Sequence, residues 1–205
     1  IEFSNRCVKN CYYCGIRSGN ENVERFDMSG DEIIKMAKWA YENNYGSVTL
    51  QSGERQDKNF EKFVKDMILD IKKVSDGKLG LTLCLGEQTE DIYREWFEAG
   101  GHRYLLRIET TNEELYKVIH PDNNIHSFQK RVDCLKTLKK IGYQVGTGVM
   151  IGLPGQTEED LVNDILFFEK MDIDMIGMGP YVVHKDTPLG KDVINNDLNT
   201  EKEKY

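Results

Sequence analysis

The chain has 205 residues, enough for one sizeable core, and a hydrophobic fraction of 39%, which is ordinary for a globular domain. Its net charge of −8 provides no basic surface for phosphate backbones, so nucleic acid is not expected as a partner. No stretch approaches the roughly 20 apolar residues that span a bilayer, and no secretion leader opens the sequence. We therefore expect a cytoplasmic protein without a membrane role.

Strand-like and helix-like segments alternate along the chain, which predicts a parallel α/β fold. Six strands are predicted, at residues 1–3, 47–51, 79–85, 103–108, 144–151 and 175–178. Helices are predicted between them, at about 29–42, 60–74, 90–99, 113–119, 127–141 and 157–171, and Ser29-Gly30-Asp31-Glu32 predicts a capping box at the start of the first. A closed (β/α) barrel of the TIM type needs eight strands, so we expect an incomplete barrel of about six βα units with an exposed sheet edge.

Alternation within the strands indicates which side chains face the barrel interior. In the fourth strand Tyr104 and Ile108 share an apolar face, which should meet the helices. Arg103, Arg107 and Glu109 share the other face, where ions are costly unless they are paired or bound to a ligand. The inward positions of three other strands are mostly small and leave space for a bulky cofactor: Gly80, Thr82, Cys84, Gly86, Gly146, Gly148, Met150, Gly152, Met175, Gly177 and Gly179.

Three of the five cysteines lie within eight residues, in the spacing Cys7-x3-Cys11-x2-Cys14. Three thiolates this close can hold one 4Fe-4S cubane and leave its fourth iron without a protein ligand, which makes that iron a reaction site. A two-cluster ferredoxin has another spacing, and a structural zinc site normally shows four ligands in two close pairs. Cys84 and Cys134 stand alone in the sequence. The crowding favours metal-bound thiolates in a reducing compartment over a disulfide framework.

This cysteine spacing, placed after the first strand of a βα series, resembles the radical S-adenosylmethionine (SAM) superfamily. The resemblance implies a full or partial (β/α) barrel, a 4Fe-4S cluster and SAM as cofactors, and a reductant such as ferredoxin or flavodoxin. It also implies reductive cleavage of SAM to a 5'-deoxyadenosyl radical that abstracts hydrogen. Tyr13, just before the third cysteine, would flank the nucleoside of SAM.

Two further segments resemble SAM-binding elements of the superfamily. Residues 51–54, Gln51-Ser52-Gly53-Glu54, resemble a Gly-Gly-Glu element whose backbone carbonyls receive the methionine amino group, although Ser52 departs from that pattern. Residues 150–157, which join the fifth strand to the next helix, resemble a segment that borders the adenosine, through Met150 and Gly152. Either segment could also be an ordinary turn.

A narrower resemblance, to the HydE family of FeFe-hydrogenase maturases, covers almost the whole chain. It rests on residues 1–5, 50–54, 83–87, 103–110 and 186–189. The related methylornithine synthases are less similar to the chain in these segments. Biotin synthases are also related. By this resemblance Glu109 contacts SAM and Arg131 pairs with the SAM carboxylate, a suitable use of the guanidinium fork. Five residues would line the substrate end of the barrel: Ser52, Thr82, Arg103, Arg107 and Met175.

The HydE resemblance implies a role in assembling the diiron subcluster of FeFe-hydrogenase. The substrate would be a small molecule or an organometallic iron–cysteine precursor, and other hydrogenase maturases would be partners. Residues 1–205 would be one radical SAM core domain, a fragment without its N-terminal extension and last barrel strands. Alternatives remain open: another small-molecule radical SAM reaction, such as that of methylornithine synthase, a non-catalytic iron–sulfur electron-transfer module, or a zinc-binding interaction domain.

Overall fold

The computed structural model describes residues 1–202 and the side chains of residues 1–196. Six strands are present: β1 (Glu2–Ser4), β2 (Ser47–Ser52), β3 (Gly80–Cys84), β4 (Arg103–Leu105), β5 (Gln144–Ile151) and β6 (Met175–Pro180). They are accompanied by seven helices in the described part of the chain: α1 (Gly30–Glu42), α2 (Lys58–Val74), α3 (Glu90–Glu98), α4 (Glu113–Ile119), α5 (Phe128–Ile141), α6 (Glu158–Lys170) and α7 (Pro188–Lys202). All predicted strands and helices are found, and α7 was not predicted.

Helix starts follow the local sequence. The Ser29 hydroxyl accepts a hydrogen bond from the Glu32 backbone N–H, and the Glu32 carboxylate accepts one from the Ser29 backbone N–H at 2.8 Å. This is the predicted capping box, in which two unpaired backbone donors are satisfied reciprocally. Thr157 and Asp160 form the same arrangement at the start of α6.

The strands form one parallel sheet in the order β1-β2-β3-β4-β5-β6. Sequential parallel strands joined by crossover helices are the connectivity of a (β/α) barrel. Within the described residues the sheet stays open between β1 and β6. The structure therefore confirms the predicted incomplete barrel.

The core lies between the sheet and the surrounding helices. Tyr104, Leu106 and Ile108 are buried there, as their alternation predicts, whereas Arg107 and Glu109 belong to the opposite, concave face. The leucines of the third strand follow the same rule, since Leu81 and Leu83 are at most 2% exposed. Each such side chain contributes about 1.5–3 kcal/mol through burial.

The predicted extent of the fourth strand was wrong, because regular pairing ends at Leu105 rather than Ile108. The backbone N–H of Ile108 donates to the Thr147 hydroxyl at 3.1 Å, and that hydroxyl donates to the Leu106 carbonyl at 2.7 Å. The Thr147 hydroxyl thus takes the place of backbone hydrogen-bond partners between this part of the chain and β5. The chain leaves regular strand geometry before it reaches Glu109.

The β6 edge and the neighbouring helix expose apolar side chains. Ile176 and Met178 are exposed on one face of β6, and Val162, Ile165 and Leu166 are exposed on α6. This agrees with the predicted open edge. No helix within residues 1–202 is long and apolar enough to cross a bilayer.

Candidate active site

Cys7, Cys11 and Cys14 lie in the loop that connects β1 to α1, and we call residues 5–18 the cysteine loop. The loop is fixed to the carboxyl end of β2: Val8 N–H donates to the Glu54 carbonyl at 2.9 Å, and Glu54 N–H donates to the Cys7 sulfur at 3.3 Å. The carboxyl ends of parallel strands are where active sites of this architecture form.

The three sulfurs influence one another electrostatically. The pKa of Cys11 is raised to about 12, chiefly by burial; Arg131 opposes this shift, and negative charge on Cys14 and Cys7 contributes to it. Burial likewise raises the pKa of Cys7 and of Cys14. Buried thiols of this kind become thiolates when cations bind them, so the loop is suited to hold positively charged iron.

The donor set fits a cubane with one iron free of protein. Cys84 and Cys134, the other free cysteines, lie on β3 and α5 rather than in the loop. Within the described residues, no three His, Cys, Asp or Glu side chains are arranged around a single metal ion. In a cubane each thiolate binds a different iron, so its sulfurs need not converge on one ion.

Tyr13 is part of the cysteine loop and contacts His120, which follows α4. Nδ1 of His120 is 2.9 Å from the Tyr116 carbonyl and must donate to it, so Nε2 accepts from the Tyr13 hydroxyl at 3.5 Å. The Tyr13 and His120 rings meet edge to face, with centroids 5.4 Å apart. Burial raises the pKa of Tyr13, followed by the negative charges of Cys11 and Glu109.

Met150 borders the same region. It is buried in a small apolar cluster with Leu115, Ile119 and Leu153, and Tyr13 packs against this cluster. Gly152 follows with a left-handed φ of 83° and with no atom within 4 Å of the position a Cβ would take. The space above the end of β5 is thus open beside an apolar wall.

Glu109 is held in an uncommon conformation at the carboxyl end of β4. Its φ is 67°, a left-handed value that costs a non-glycine residue about 1–2 kcal/mol. Burial raises the pKa of Glu109, while Arg107 and Arg131 lower it. Strain and burial of a carboxylate at one residue indicate a functional constraint.

Arg107 is engaged by protein groups on three sides. Its Nε donates to the Glu109 carboxylate at 3.0 and 3.1 Å, its Nη1 to the Gly177 carbonyl at 3.2 Å, and its Nη2 to the Val149 carbonyl at 3.0 Å. A Cβ on Gly177 would lie 3.3 Å from Nη1, so part of the space predicted for a cofactor holds the Arg107 guanidinium.

A buried ion network joins Lys9 of the cysteine loop to Glu54, Glu87 and Arg131. Lys9 Nζ is 3.2 Å from Glu54 Oε1 and 3.0 Å from Glu87 Oε2. Arg131 Nε is 2.8 Å from Glu87 Oε1, and its Nη2 is 3.7 Å from Glu54 Oε2. Burial raises the pKa of Glu54, and Arg131 lowers it. The network joins the loop, β2, β3 and α5.

Sequence reasoning identified Glu54 and Arg131 but missed Lys9 and Glu87. The available signal for Glu87 was its position, since it follows β3 as Glu54 follows β2. Charged residues just beyond parallel strands meet at one edge of the sheet. For Lys9 the sequence offered no indication of a role other than its position between Cys7 and Cys11.

Gln51 and Ser52 end β2 close to the loop. Gln51 is exposed and pairs in register with Glu2 and Cys84. The Ser52 hydroxyl donates to the Gly53 carbonyl at 2.7 Å, within its own turn. A Cβ on Gly53 would collide with the Arg6 carbonyl oxygen and lie 2.7 Å from the Cys7 Cβ, so this glycine allows the close approach of the loop.

The structure does not bring Arg103 and Met175 to the cysteine loop. Both residues begin their strands, β4 and β6, and Arg103 pairs with Thr82 in the middle of β3. A Cβ on Gly80 would collide with the Arg103 guanidinium, which therefore lies across the concave face.

Comparison with known proteins agrees with this geometry. The sequence model of the radical SAM superfamily matches residues 1–168. The chain belongs to the radical SAM superfamily, whose cofactors are a 4Fe-4S cluster and SAM. It is 45% identical to the [FeFe] hydrogenase maturase subunit HydE of Thermotoga maritima over 192 residues, which are 94% of this chain and 53% of that protein.

Other relatives are more distant. Biotin synthase of Bacillus pumilus is 28% identical over 91% of this chain and 55% of its own length. The crystal structure of methylornithine synthase (PylB) superposes with a TM-score of 0.82 at 25% identity and covers 93% of this chain and 55% of its own. The hydrogenase maturase HydG superposes at 0.78 with 22% identity, over 93% of this chain and 44% of its own, and shows the fold alone. The chain spans about half the length of the curated relatives it matches.

Proposed function

We propose that residues 1–205 form the radical SAM core of a HydE-like maturase of FeFe-hydrogenase. One observation carries the proposal: the cysteine loop is hydrogen-bonded to Glu54 just beyond β2, and the Glu54 carboxylate lies 3.7 Å from the guanidinium of Arg131. The identity of 45% to HydE, over 94% of this chain, supports the maturase assignment.

In this proposal Cys7, Cys11 and Cys14 bind three irons of the 4Fe-4S cluster. The cluster and SAM together supply one-electron cleavage of SAM and hydrogen-atom abstraction. The loop's attachment to Glu54 through both backbone and side-chain contacts keeps the cysteines above the sheet. Residues outside the loop then bind and orient SAM beside them.

Different residues bind the carboxylate, the amino group and the nucleoside of SAM. Arg131 pairs with the carboxylate of SAM, because its guanidinium lies 3.7 Å from the Glu54 carboxylate, next to the point where the Glu54 N–H donates to the Cys7 sulfur. The turn of Gln51, Ser52 and Glu54, with Gly53 closest to the loop, offers backbone carbonyls to the amino group. Three residues border the nucleoside together with Glu109: Tyr13, Met150 and Gly152.

The substrate lies deeper in the barrel. Thr82, Arg103, Arg107 and Met175 line this end, with Ser52 at its rim. Among the described residues no carboxylate forms an ion pair with Arg103, whereas Arg107 is engaged by Glu109. Arg103 is thus the cation for an anionic substrate, and we place an organometallic iron–cysteine precursor or another small molecule there. An external reductant, ferredoxin or flavodoxin, and other maturases complete the reaction in the cytoplasm.

The experiment is complementation in a host that makes FeFe-hydrogenase but lacks its HydE. The natural full-length protein should restore hydrogenase activity, and its Cys11→Ala variant should not. Failure of the wild-type protein, when it is produced with its cluster in place, contradicts the maturase assignment.

Methylornithine synthase is the second candidate, favoured by the TM-score of 0.82 and identity of 25% to PylB. Incubation of the reduced protein with SAM and lysine separates the two. Formation of methylornithine favours this candidate, and recovery of unchanged lysine favours the maturase.

A further inference from the structure

Glu87 is a fully buried carboxylate for which the reaction as described has no role. It lies just beyond β3 and is 0% exposed, with Lys9 Nζ at 3.0 Å and Arg131 Nε at 2.8 Å. A charge this far from water is costly unless cations surround it. Here the cations come from the cysteine loop and from α5, which also places Lys130 Nζ 3.7 Å from Glu87 Oε2.

Lys9 connects Glu87 to the cysteine loop. It stands two residues after Cys7 and two before Cys11, and it is 3% exposed. Its ammonium also donates to the Ile125 carbonyl and lies 3.2 Å from Glu54 Oε1. The loop between these two cysteines therefore cannot shift without breaking buried charge contacts.

Arg131 connects Glu87 to the part of the site assigned to SAM. The contact between Arg131 Nε and Glu87 Oε1 is a buried ion pair rather than an aligned hydrogen bond, so it holds the guanidinium in place by charge attraction at short range. The Glu87 contact through Nε, at 2.8 Å, is much shorter than the Glu54 contact through Nη2, at 3.7 Å. Glu87 therefore determines the position of Arg131 more than Glu54 does.

We propose that Glu87 is a positioning residue that holds Lys9 and Arg131 in one fixed arrangement, so that the cluster ligands and the guanidinium that binds the SAM carboxylate keep their relative positions. This inference rests on the proposed function. Glu87 acts through Arg131 and Lys9 and touches neither SAM nor substrate.

The test measures SAM binding by equilibrium dialysis in the natural full-length protein, reconstituted anaerobically and matched for iron content. Glu87→Gln should raise the Kd for SAM at least tenfold. The control is Glu95→Gln, which breaks a partly exposed pair with Lys65 at 2.6 Å and should stay within twofold of wild type. A Kd for Glu87→Gln within twofold of wild type overturns the proposal.

A double-mutant cycle separates positioning from general damage. If Glu87 acts through Arg131, Glu87→Gln should weaken SAM binding far less in an Arg131→Lys background than in wild type. If the double variant raises the Kd for SAM by the product of the two single factors, Glu87 acts independently of Arg131 and the proposal is overturned. Thermal unfolding verifies the fold, and if Glu87→Gln does not fold, Glu87→Asp carries the test under the same criterion.

The outcomes also distinguish this inference from the proposed function. A wild-type protein with a full cluster that does not bind SAM contradicts the function, and the positioning role fails with it. A wild-type protein that binds SAM, alongside a Glu87→Gln variant that binds it equally well, contradicts the positioning role alone.

Discussion

Arg107 donates through Nε to both carboxylate oxygens of Glu109, at 3.0 and 3.1 Å, although the chain between them leaves regular strand geometry. Glu109 takes a φ of 67° there, its N–H donates to the Gly148 carbonyl, and its carbonyl accepts from Met150 N–H. Hydrogen bonds to the backbone and to the side chain of Glu109 thus fix the position of its carboxylate. Such a group is preorganised for a ligand at the carboxyl end of β4.

The left-handed backbone of Glu109 predicts an order of stability for two variants. Glu109→Gly and Glu109→Ala both remove the carboxylate, but only glycine adopts this φ without strain. The free energy of unfolding of the cofactor-free protein, measured in urea, should be about 1 kcal/mol higher for the glycine variant. An alanine variant as stable as the glycine variant would show that the backbone at this position is not strained.

Arg107→Lys should destabilise the protein, because lysine cannot reach Glu109, Gly177 and Val149 together. We expect a loss of about 1.5–3 kcal/mol in the free energy of unfolding. The matched control is Arg94→Lys on α3, whose exposed pair with Glu90 at 2.9 Å should change stability by less than about 0.5 kcal/mol. Equal effects of the two substitutions would contradict the structural role of Arg107.

Gly53→Ala should impair cluster assembly. A Cβ at this position would collide with the Arg6 carbonyl and lie 2.7 Å from the Cys7 Cβ, so the cysteine loop would have to move. Iron bound per chain after anaerobic reconstitution should fall several-fold. Gly46→Ala is the control, since no atom lies within 4 Å of its Cβ position, and it should bind iron like wild type. Full iron occupancy in Gly53→Ala would show that the loop does not need this close approach.

Burial lowers the pKa of His120 to about 3, which predicts a pH-dependent contribution to stability. The unfolded histidine takes up a proton near pH 6.5, while the folded one stays neutral down to about pH 3. Its contribution is therefore complete above pH 6.5 and is lost as the pH falls through this window. His120→Phe should reduce the slope of unfolding free energy against pH there by up to about 1.4 kcal/mol per pH unit. Parallel curves for wild type and variant would contradict the assignment.

Much of the fold follows from local sequence. Alternation in the fourth strand separated buried Tyr104 and Ile108 from Arg107 and Glu109, and the structure confirms both faces. The capping box at Ser29 is confirmed in the same way. These features depend on neighbouring residues, whose periodicity or spacing is visible in one chain.

The site depends on contacts that local patterns do not contain. Lys9 and Glu87 are 78 residues apart, and nothing near either one indicates that they meet. The end of β4 was missed because the Thr147 side chain, 39 residues from Ile108, replaces a backbone partner. Which charges are buried together becomes visible only once the tertiary contacts are known. The same holds for a side chain that takes the place of a backbone hydrogen-bond partner between two strands.

The central claim is that three cysteines hold a cluster with one iron available to SAM. The most direct measurement is 5'-deoxyadenosine and methionine produced by the anaerobically reconstituted, dithionite-reduced full-length protein with SAM. We expect both products from wild type and neither from Cys11→Ala. A wild-type protein that contains a complete 4Fe-4S cluster yet forms neither product would contradict the account.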